Sequence, residues 1–213
     1  MAGKIHLVRH AEGLHNLRND PNIPDAPLSQ RGFDFAEDLG RRFTQAHSNS
    51  VGAIISSPLR RTIQTSLTAF PRILDSAQYS GNCGRGVREG VKLALDANLQ
   101  EIAEMPCNTG SALTDLEQEF PELIPQIRTL DRNWYIKTGQ NSPLPAVPER
   151  RARLLEQFQQ TLTELSNGQK GKDIIVVTHQ GVIALLAPNV NIPVAQWQSF
   201  TMATNSAGQL SLQ

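Results

Sequence analysis

The chain has 213 residues, and its 20 Lys and Arg balance its 20 Asp and Glu, so the formal net charge at neutral pH is zero. A chain without excess charge has no global field to attract nucleic acid or an anionic membrane, and we expect neither as a partner. Two cysteines, Cys83 and Cys107, are too few for a disulfide framework. The apolar runs reach only about six residues, against the roughly 20 that a membrane-spanning helix needs. We therefore expect a cytoplasmic protein that folds as a single domain over residues 1–213.

The first distinctive stretch is a short apolar run that ends in two chemically active side chains. Residues 5–8 are apolar and β-branched apart from one histidine, which predicts a buried strand. Arg9 and His10 follow directly, at the carboxyl end where α/β sheets bind ligands. A guanidinium binds phosphate oxygens through two parallel hydrogen bonds, and a neutral imidazole is a nucleophile near neutral pH. The pair therefore indicates a site for an oxyanion.

The rest of the chain alternates helical and strand patterns. Ser29 is predicted to cap a helix that contains apolar residues at helical spacing, and Ser57 with Pro58 is predicted to begin another. Further strands are predicted at 51–55, 93–99, 173–177 and 209–212, and further helices at 114–130, 149–165 and 182–187. This order favours a three-layer α/β/α sandwich with a mostly parallel sheet. Since parallel strands end at one edge, the segments Arg9-His10, Ser57 to Arg61 and Thr178-His179 are expected to converge there.

These segments resemble the motifs of a known family. Residues 9–16, Arg-His-Ala-Glu-Gly-Leu-His-Asn, are similar to the Arg-His-Gly-Glu-x-x-x-Asn element of the histidine phosphatase superfamily, the phosphoglycerate mutase-like proteins of branch 1, in the form found in fungal and plant members. The segment 57–65 resembles the element that carries the second arginine, here Arg61. His179 stands in the place of the second histidine, and Leu99-Gln100-Glu101 resembles the element that carries an acid. The similar elements occur in the family's order over residues 4–181.

The resemblance implies a metal-independent hydrolysis of phosphomonoesters, with neither a metal nor another cofactor. His10 would attack phosphorus and form a phosphohistidine, and Glu101 would protonate the leaving group, with Glu104 as the fallback acid. The phosphoryl oxygens would be held by the remaining polar residues at the same edge, namely Arg9, Asn16, Arg61, His179 and Gln180. A small phosphorylated metabolite is the implied substrate, and insertions at about 66–98 and 102–145 are expected to form a lid over the site.

Other functions stay open at this point. Phosphoglycerate mutase-type phosphoryl transfer uses the same chemistry. An enzyme or binding protein that has reused the pocket for a non-phosphate organic anion is a further alternative, because Ala11, Phe35 and Gln180 depart from the family pattern.

The remaining histidines have plainer interpretations. His6 and His47 are interpreted as packed residues of the core, and His15 as part of the pocket wall. A metal site formed by His6, His10 and His15 is disfavoured, because no carboxylate pair completes a ligand set.

Overall fold

The computed structural model describes residues 3–47, 49–81, 83–140, 142–167 and 172–213. Its main sheet has the order β3-β2-β4-β1-β5, and every neighbouring pair is parallel except β1 with β5. A separate antiparallel pair joins β6 and β7. The strands are β1 (Ile5–Arg9), β2 (Val51–Ser56), β3 (Leu93–Leu95), β4 (Asp173–Thr178), β5 (Trp197–Phe200), β6 (Met202–Thr204) and β7 (Leu210–Leu212).

Helices cover both faces of the sheet. They are α1 (Leu14–Arg18), α2 (Gln30–His47), α3 (Arg60–Ala69), α4 (Leu113–Glu119), α5 (Ile124–Ile127), α6 (Val147–Ser166) and α7 (Gln180–Leu186). Alternate residues of β4 enter different cores: Ile175 and Val177 pack with α2 and α3, whereas Ile174 and Val176 pack with α6 and α7. The alternation follows from the two-residue period of a strand that is buried on both faces. The predicted three-layer α/β/α sandwich with a mostly parallel sheet is confirmed.

The two predicted serine caps have different outcomes. Ser29 does cap α2, since its Oγ accepts a hydrogen bond of 2.9 Å from the backbone N–H of Gly32. The prediction for Ser57 is wrong, because α3 begins at Arg60 and Leu59 stands at its N-cap. The Ser57 hydroxyl lies 2.9 Å from the ring of His179 and accepts from the backbone N–H of Leu59 at 3.3 Å.

Other boundaries also differ from the sequence prediction. The strand predicted at 93–99 ends at Leu95, and residues 97–99 form a turn of 3₁₀ helix instead. The predicted edge strand near the C-terminus forms as β7 but pairs with β6 outside the main sheet, and β5 was not predicted. The proposed lid role of segments 66–98 and 102–145 stays a prediction. Across the described ranges, no helix combines the length and apolar character needed to cross a bilayer.

The contact between α2 and α3 depends on a glycine. Gly40 is buried in α2, where a Cβ would lie 1.9 Å from the backbone oxygen of Ala69. That oxygen belongs to the main chain, so no side-chain rotation can relieve the clash. Gly40 therefore sets how closely the two helices approach.

We predict that Gly40→Ala destabilises the protein by about 1–3 kcal/mol through overpacking. The better helix propensity of alanine opposes this by only about 1 kcal/mol. Urea unfolding followed by circular dichroism measures the change. Gly81→Ala is the matched control, because a Cβ there meets nothing within 4 Å. Equal midpoints for the two variants would contradict the prediction.

Candidate active site

Pairing of β1 with β4 brings two histidines together. Arg9 stands opposite Thr178 in the parallel register, so the next residues, His10 and His179, leave the sheet side by side. The register continues past the strands, because the His10 N–H donates to the carbonyl oxygen of Thr178 at 3.0 Å. The two imidazole centroids lie 5.0 Å apart with 52° between the ring planes.

The surroundings of His10 leave one ring nitrogen without a proton. Its Nδ1 lies 2.7 Å from the carbonyl oxygen of Ala11, which can only accept, so the proton of the neutral ring is on Nδ1. Burial, with the charge of Arg61 adding to it, lowers the pKa of His10 well below its usual value. The ring is therefore neutral at physiological pH, and Nε2 presents a lone pair.

His179 has the opposite tautomer. Its Nδ1 lies 3.1 Å from Nη2 of Arg61, and a guanidinium can only donate, so Nδ1 accepts. The proton is therefore on Nε2, which donates to the Ser57 hydroxyl at 2.9 Å. Burial and the charge of Arg61 lower the pKa of His179 well below its usual value. The neutral ring of His10, with a bare Nε2, thus lies beside the neutral ring of His179, whose Nε2–H is bound to Ser57.

Two arginines provide the positive charge of the site. The buried Arg61 donates to the Cys107 carbonyl at 2.6 Å and to Oδ1 of Asn108 at 2.8 Å. Arg9 donates to the carbonyl of Ile192 at 3.0 Å. In the described part of the chain, the buried Nε of each arginine has no hydrogen-bond partner. Burial lowers the pKa of Arg61 to about 10, so it remains protonated at neutral pH.

The carboxyl group of Glu101 lies against the first turn of α7. Its Oε2 accepts from the Gly181 N–H at 3.1 Å, and its Oε1 accepts from the N–H of Ile102 at 2.7 Å. A Cβ on Gly181 would lie 2.0 Å from Oε1, so the carboxyl group occupies the space that a side chain there would need. Lys137 is nearby and donates to the backbone oxygens of Glu101 and Ala103.

The segment before Glu101 is fixed by the rest of the fold. Arg150 is buried and donates to the backbone oxygens of Asn98 and Gln100. Thr178 donates through its hydroxyl to the carbonyl of Leu99 at 2.7 Å. Because Thr178 precedes His179, the same strand end holds both the segment that leads to Glu101 and the second histidine.

A cavity of about 420 Å³ opens over these groups. Its walls include Arg9, His10, His15, Asn16, Arg61, Glu101, Met105, Cys107 and Asn108. Asn16 uses Oδ1 to accept from the N–H of Gly13 at 3.0 Å, which leaves its amide N–H₂ to face a ligand. His15 contributes a ring 6.0 Å from that of His10, between centroids.

A larger groove, of about 700 Å³, lies between α6 and the β6–β7 pair. The histidines and arginines at the strand ends do not line it.

Two predicted site residues lie elsewhere. Both ends of the Gln180 amide are engaged, Nε2 with the carbonyl of Val190 at 2.9 Å and Oε1 with the N–H of Ile192 at 3.1 Å. The Gln180 amide is therefore occupied by the backbone of residues 190–192, and its proposed contact with phosphate stays a prediction. The fallback acid Glu104 is exposed and lines a neighbouring depression rather than the cavity of His10.

The structure also adds residues that the sequence did not indicate. Ser57 accepts from His179, Asn108 and the Cys107 carbonyl orient Arg61, and Gly181 makes room for Glu101. Ser57 lies within the recognised arginine element, but it was interpreted as a helix cap. The only signal for Gly181 is its position two residues after His179.

The neutral imidazole of His10, the guanidinium groups of the half-buried Arg9 and the buried Arg61, and the carboxyl group of Glu101 line one cavity. Together they define a site for a tetrahedral oxyanion. The family model of the histidine phosphatase superfamily (branch 1) matches residues 5–213. The chain belongs to this superfamily, whose members include phosphatases and mutase-type enzymes.

Plant proteins are among the similar sequences. A phosphoglycerate mutase-like protein of Arabidopsis thaliana is 27% identical over 201 residues, which cover 84% of this chain and 71% of the relative. Phosphoglycerate mutase-like protein 1 of the same plant is 23% identical over 207 residues, which cover 84% of this chain and 68% of that protein.

Solved structures share the fold. A mycobacterial glucosyl-3-phosphoglycerate phosphatase, in a structure with VO3, superposes with a TM-score of 0.59 at 16% identity, over 100% of this chain and 97% of that one. A putative alpha-ribazole-5'-P phosphatase from Escherichia coli superposes with a TM-score of 0.52 at 20% identity, over 100% of this chain and 95% of that one. At these identities the likeness establishes the fold alone.

The surroundings of His15 generate a prediction about pH. Burial, with the charges of Arg61 and Arg9 adding to it, lowers the pKa of His15 from 6.5 to about 4. The unfolded chain therefore binds a proton more readily than the folded one in this range. We expect the free energy of unfolding to fall as the pH falls from about 6.5 to about 4.

The His15→Asn variant should lose that part of the pH dependence. Urea unfolding at several pH values measures the stability, and an NMR titration of the imidazole measures the pKa directly. A ring of His15 that titrates near 6.5 in the folded protein would contradict the prediction.

Proposed function

We propose that the protein is a metal-independent phosphomonoester hydrolase that works through a phosphohistidine on His10 and acts on a small phosphorylated metabolite. The observation that carries the proposal is the pair of neutral rings, one with a bare Nε2 on His10 and one with an Nε2–H on His179, whose centroids lie 5.0 Å apart. Nucleophilic attack needs the bare nitrogen of His10. The Nε2–H of His179, which donates to Ser57 in this structure, would turn to a phosphoryl oxygen when the substrate binds.

In the first step, Nε2 of His10 forms a bond to phosphorus as the bond to the leaving oxygen breaks. Nδ1–H stays on the carbonyl of Ala11, which stabilises the positive charge that the ring acquires. Arg9, Arg61 and Asn16 surround the phosphoryl oxygens, and the Nε2–H of His179 exchanges the Ser57 hydroxyl for one of them. Glu101, as the general acid, gives a proton to the leaving oxygen. The two guanidinium groups supply the positive charge that other phosphatases obtain from metal ions.

In the second step, water attacks phosphorus on the opposite side from His10. The carboxylate of Glu101 takes a proton from that water, and the bond between nitrogen and phosphorus breaks. Phosphate leaves, and His10 returns to its neutral form with the proton still on Nδ1. The same carboxyl group thus acts as acid and then as base.

A panel of phosphomonoesters tests the proposal. The wild-type protein should release inorganic phosphate, and acid-labile, base-stable radioactivity should appear on the protein when a labelled substrate is quenched early. His10→Ala should show neither. Transfer of the label to an added hydroxyl compound, without phosphate release, would show a mutase instead. Turnover of an organic anion by His10→Ala without phosphate release would indicate the reused pocket.

A pair of adjacent arginines gives a matched control. Arg61→Lys should lower kcat/KM by about 10–150-fold, because a lysine cannot keep the forked hydrogen bonds, each worth roughly 1.5–3 kcal/mol when charged. Arg60→Lys should leave it unchanged, since Arg60 pairs with Glu119 at the surface. Equal losses in the two variants would contradict the phosphate-binding role of Arg61.

The assigned acid makes a further prediction about leaving groups. Glu101→Gln should slow hydrolysis of alkyl phosphates by about 10²–10⁴-fold, whereas p-nitrophenyl phosphate, whose leaving group needs little protonation, should lose far less. Gly181→Ala should reproduce this difference, since its methyl group displaces the Glu101 carboxyl. Gly81→Ala serves as the control. A uniform loss for both kinds of substrate would show that Glu101 is not the general acid.

A further inference from the structure

A second cluster of ligand-type side chains lies at the other end of the sheet. His6 on β1, His47 at the end of α2 and Asp173 at the start of β4 each offer one donor atom, and these atoms lie within 4.8 Å of one another. His6 precedes His10 by four residues along the strand, or about 13 Å at the usual rise of a strand. The cluster is therefore separate from the proposed phosphate site.

The spacing of the donors fits a metal ion. Ligand atoms about 2.1 Å from a tetrahedral Zn²⁺ lie roughly 3.4 Å from each other. The Nε2 of His6 and the Oδ2 of Asp173 are 3.2 Å apart, which is close to that value. His47 is half-buried at a helix terminus, so its ring can close the remaining distance and leaves a path by which an ion enters.

The surroundings of His6 suit a ligand. Its Nδ1 lies 2.8 Å from the hydroxyl of Ser199, which can either donate or accept. When the ion occupies Nε2, the ring proton is on Nδ1. Nδ1–H then donates a hydrogen bond to the Ser199 hydroxyl, so this buried polar group is not left without a partner. Asp173 is oriented through its other oxygen, which accepts from the backbone N–H of Lys4 at 2.8 Å.

Aromatic rings surround the imidazoles. Phe43 packs edge-on against His6, with centroids 5.1 Å apart, and contacts His47 at 4.9 Å. Trp197 lies edge-on to His47 at 6.3 Å. This apolar shell lowers the local dielectric, which strengthens the attraction between a cation and the carboxylate. The charge of Lys4, which is exposed, opposes it only weakly because solvent screens it.

We propose that His6, His47 and Asp173 form a Zn²⁺ site, with water as the fourth ligand, that ties the end of α2 to the beginnings of β1 and β4. Two imidazoles and a carboxylate are a ligand set that zinc accepts. Because the residues are 41 to 167 positions apart in sequence, the ion would link segments that only the folded chain brings together. It would therefore stabilise the native state, since the unfolded chain holds no such site.

The test uses the full chain without an affinity tag, stripped of metal by dialysis against a chelator. Titration with Zn²⁺ against a competing dye should give one equivalent per chain. Co²⁺ should give the intense visible bands of a four-coordinate site. Added Zn²⁺ should raise Tm. Ser199→Ala should weaken binding by about tenfold, the lower end of the usual effect of an outer-shell partner.

Two variants remove the site in different ways. Asp173→Asn keeps the shape of the side chain but not its charge, and His47→Ala removes the half-buried ligand. Each variant should lose the binding of one equivalent of Zn²⁺ and the rise in Tm that Zn²⁺ produces. His15→Ala, which removes another half-buried histidine, is the matched control and should retain both. Circular dichroism checks that each variant is folded. If Asp173→Asn does not fold, the result for His47→Ala carries the test.

Two results would overturn the proposal. The first is the absence of saturable Zn²⁺ binding to the wild type, which would leave the cluster as aromatic packing around the hydrogen bond between His6 and Asp173. The second is one bound equivalent of Zn²⁺ that remains in His47→Ala and Asp173→Asn but is lost in His15→Ala. The ion would then bind beside the cavity of His10.

Discussion

The parallel pairing of β1 with β4 is the constraint on which the site depends. It places Arg9 opposite Thr178, and the hydrogen bond from the His10 N–H to Thr178 carries the register one residue further. The two imidazoles therefore emerge together, with centroids 5.0 Å apart, without any direct bond between them. A slip of one residue would turn one ring to the other face of the sheet.

The second constraint is the burial of a positive charge. The described hydrogen-bond acceptors of Arg61 are neutral: the carbonyl of Cys107, the amide oxygen of Asn108 and the ring of His179. A buried guanidinium without a paired carboxylate keeps a strong local attraction for an anion. Burial, with the same charge adding to it, lowers the pKa of His10 and His179. In the proposed mechanism, the arginine that binds the phosphate thus also helps to keep the nucleophile neutral.

Close backbone approach links the fold to the chemistry at two points. Gly40 lets α2 lie against the end of α3, the helix that carries Arg61. Gly181 lets the Glu101 carboxyl lie against the first turn of α7, directly after His179. Gly40 therefore sets the packing of α3, and Gly181 makes the room that the Glu101 carboxyl occupies. Neither glycine carries a reactive group.

The sequence by itself determined the layered fold and the chemistry at the strand ends. The runs at 5–8, 51–55 and 173–177 are apolar enough to be buried on both faces, and such strands are parallel and end at one edge. Arg9, His10, Arg61 and His179 followed from their places at those ends and from the family motifs. Only the tertiary structure decided the tautomers and which of Glu101 and Glu104 lines the cavity of His10. It also decided the engagement of Gln180 by residues 190–192 and the meeting of His6 with His47 and Asp173. Each of these depends on a contact between particular atoms, often far apart along the chain, and local periodicity and spacing do not specify such contacts.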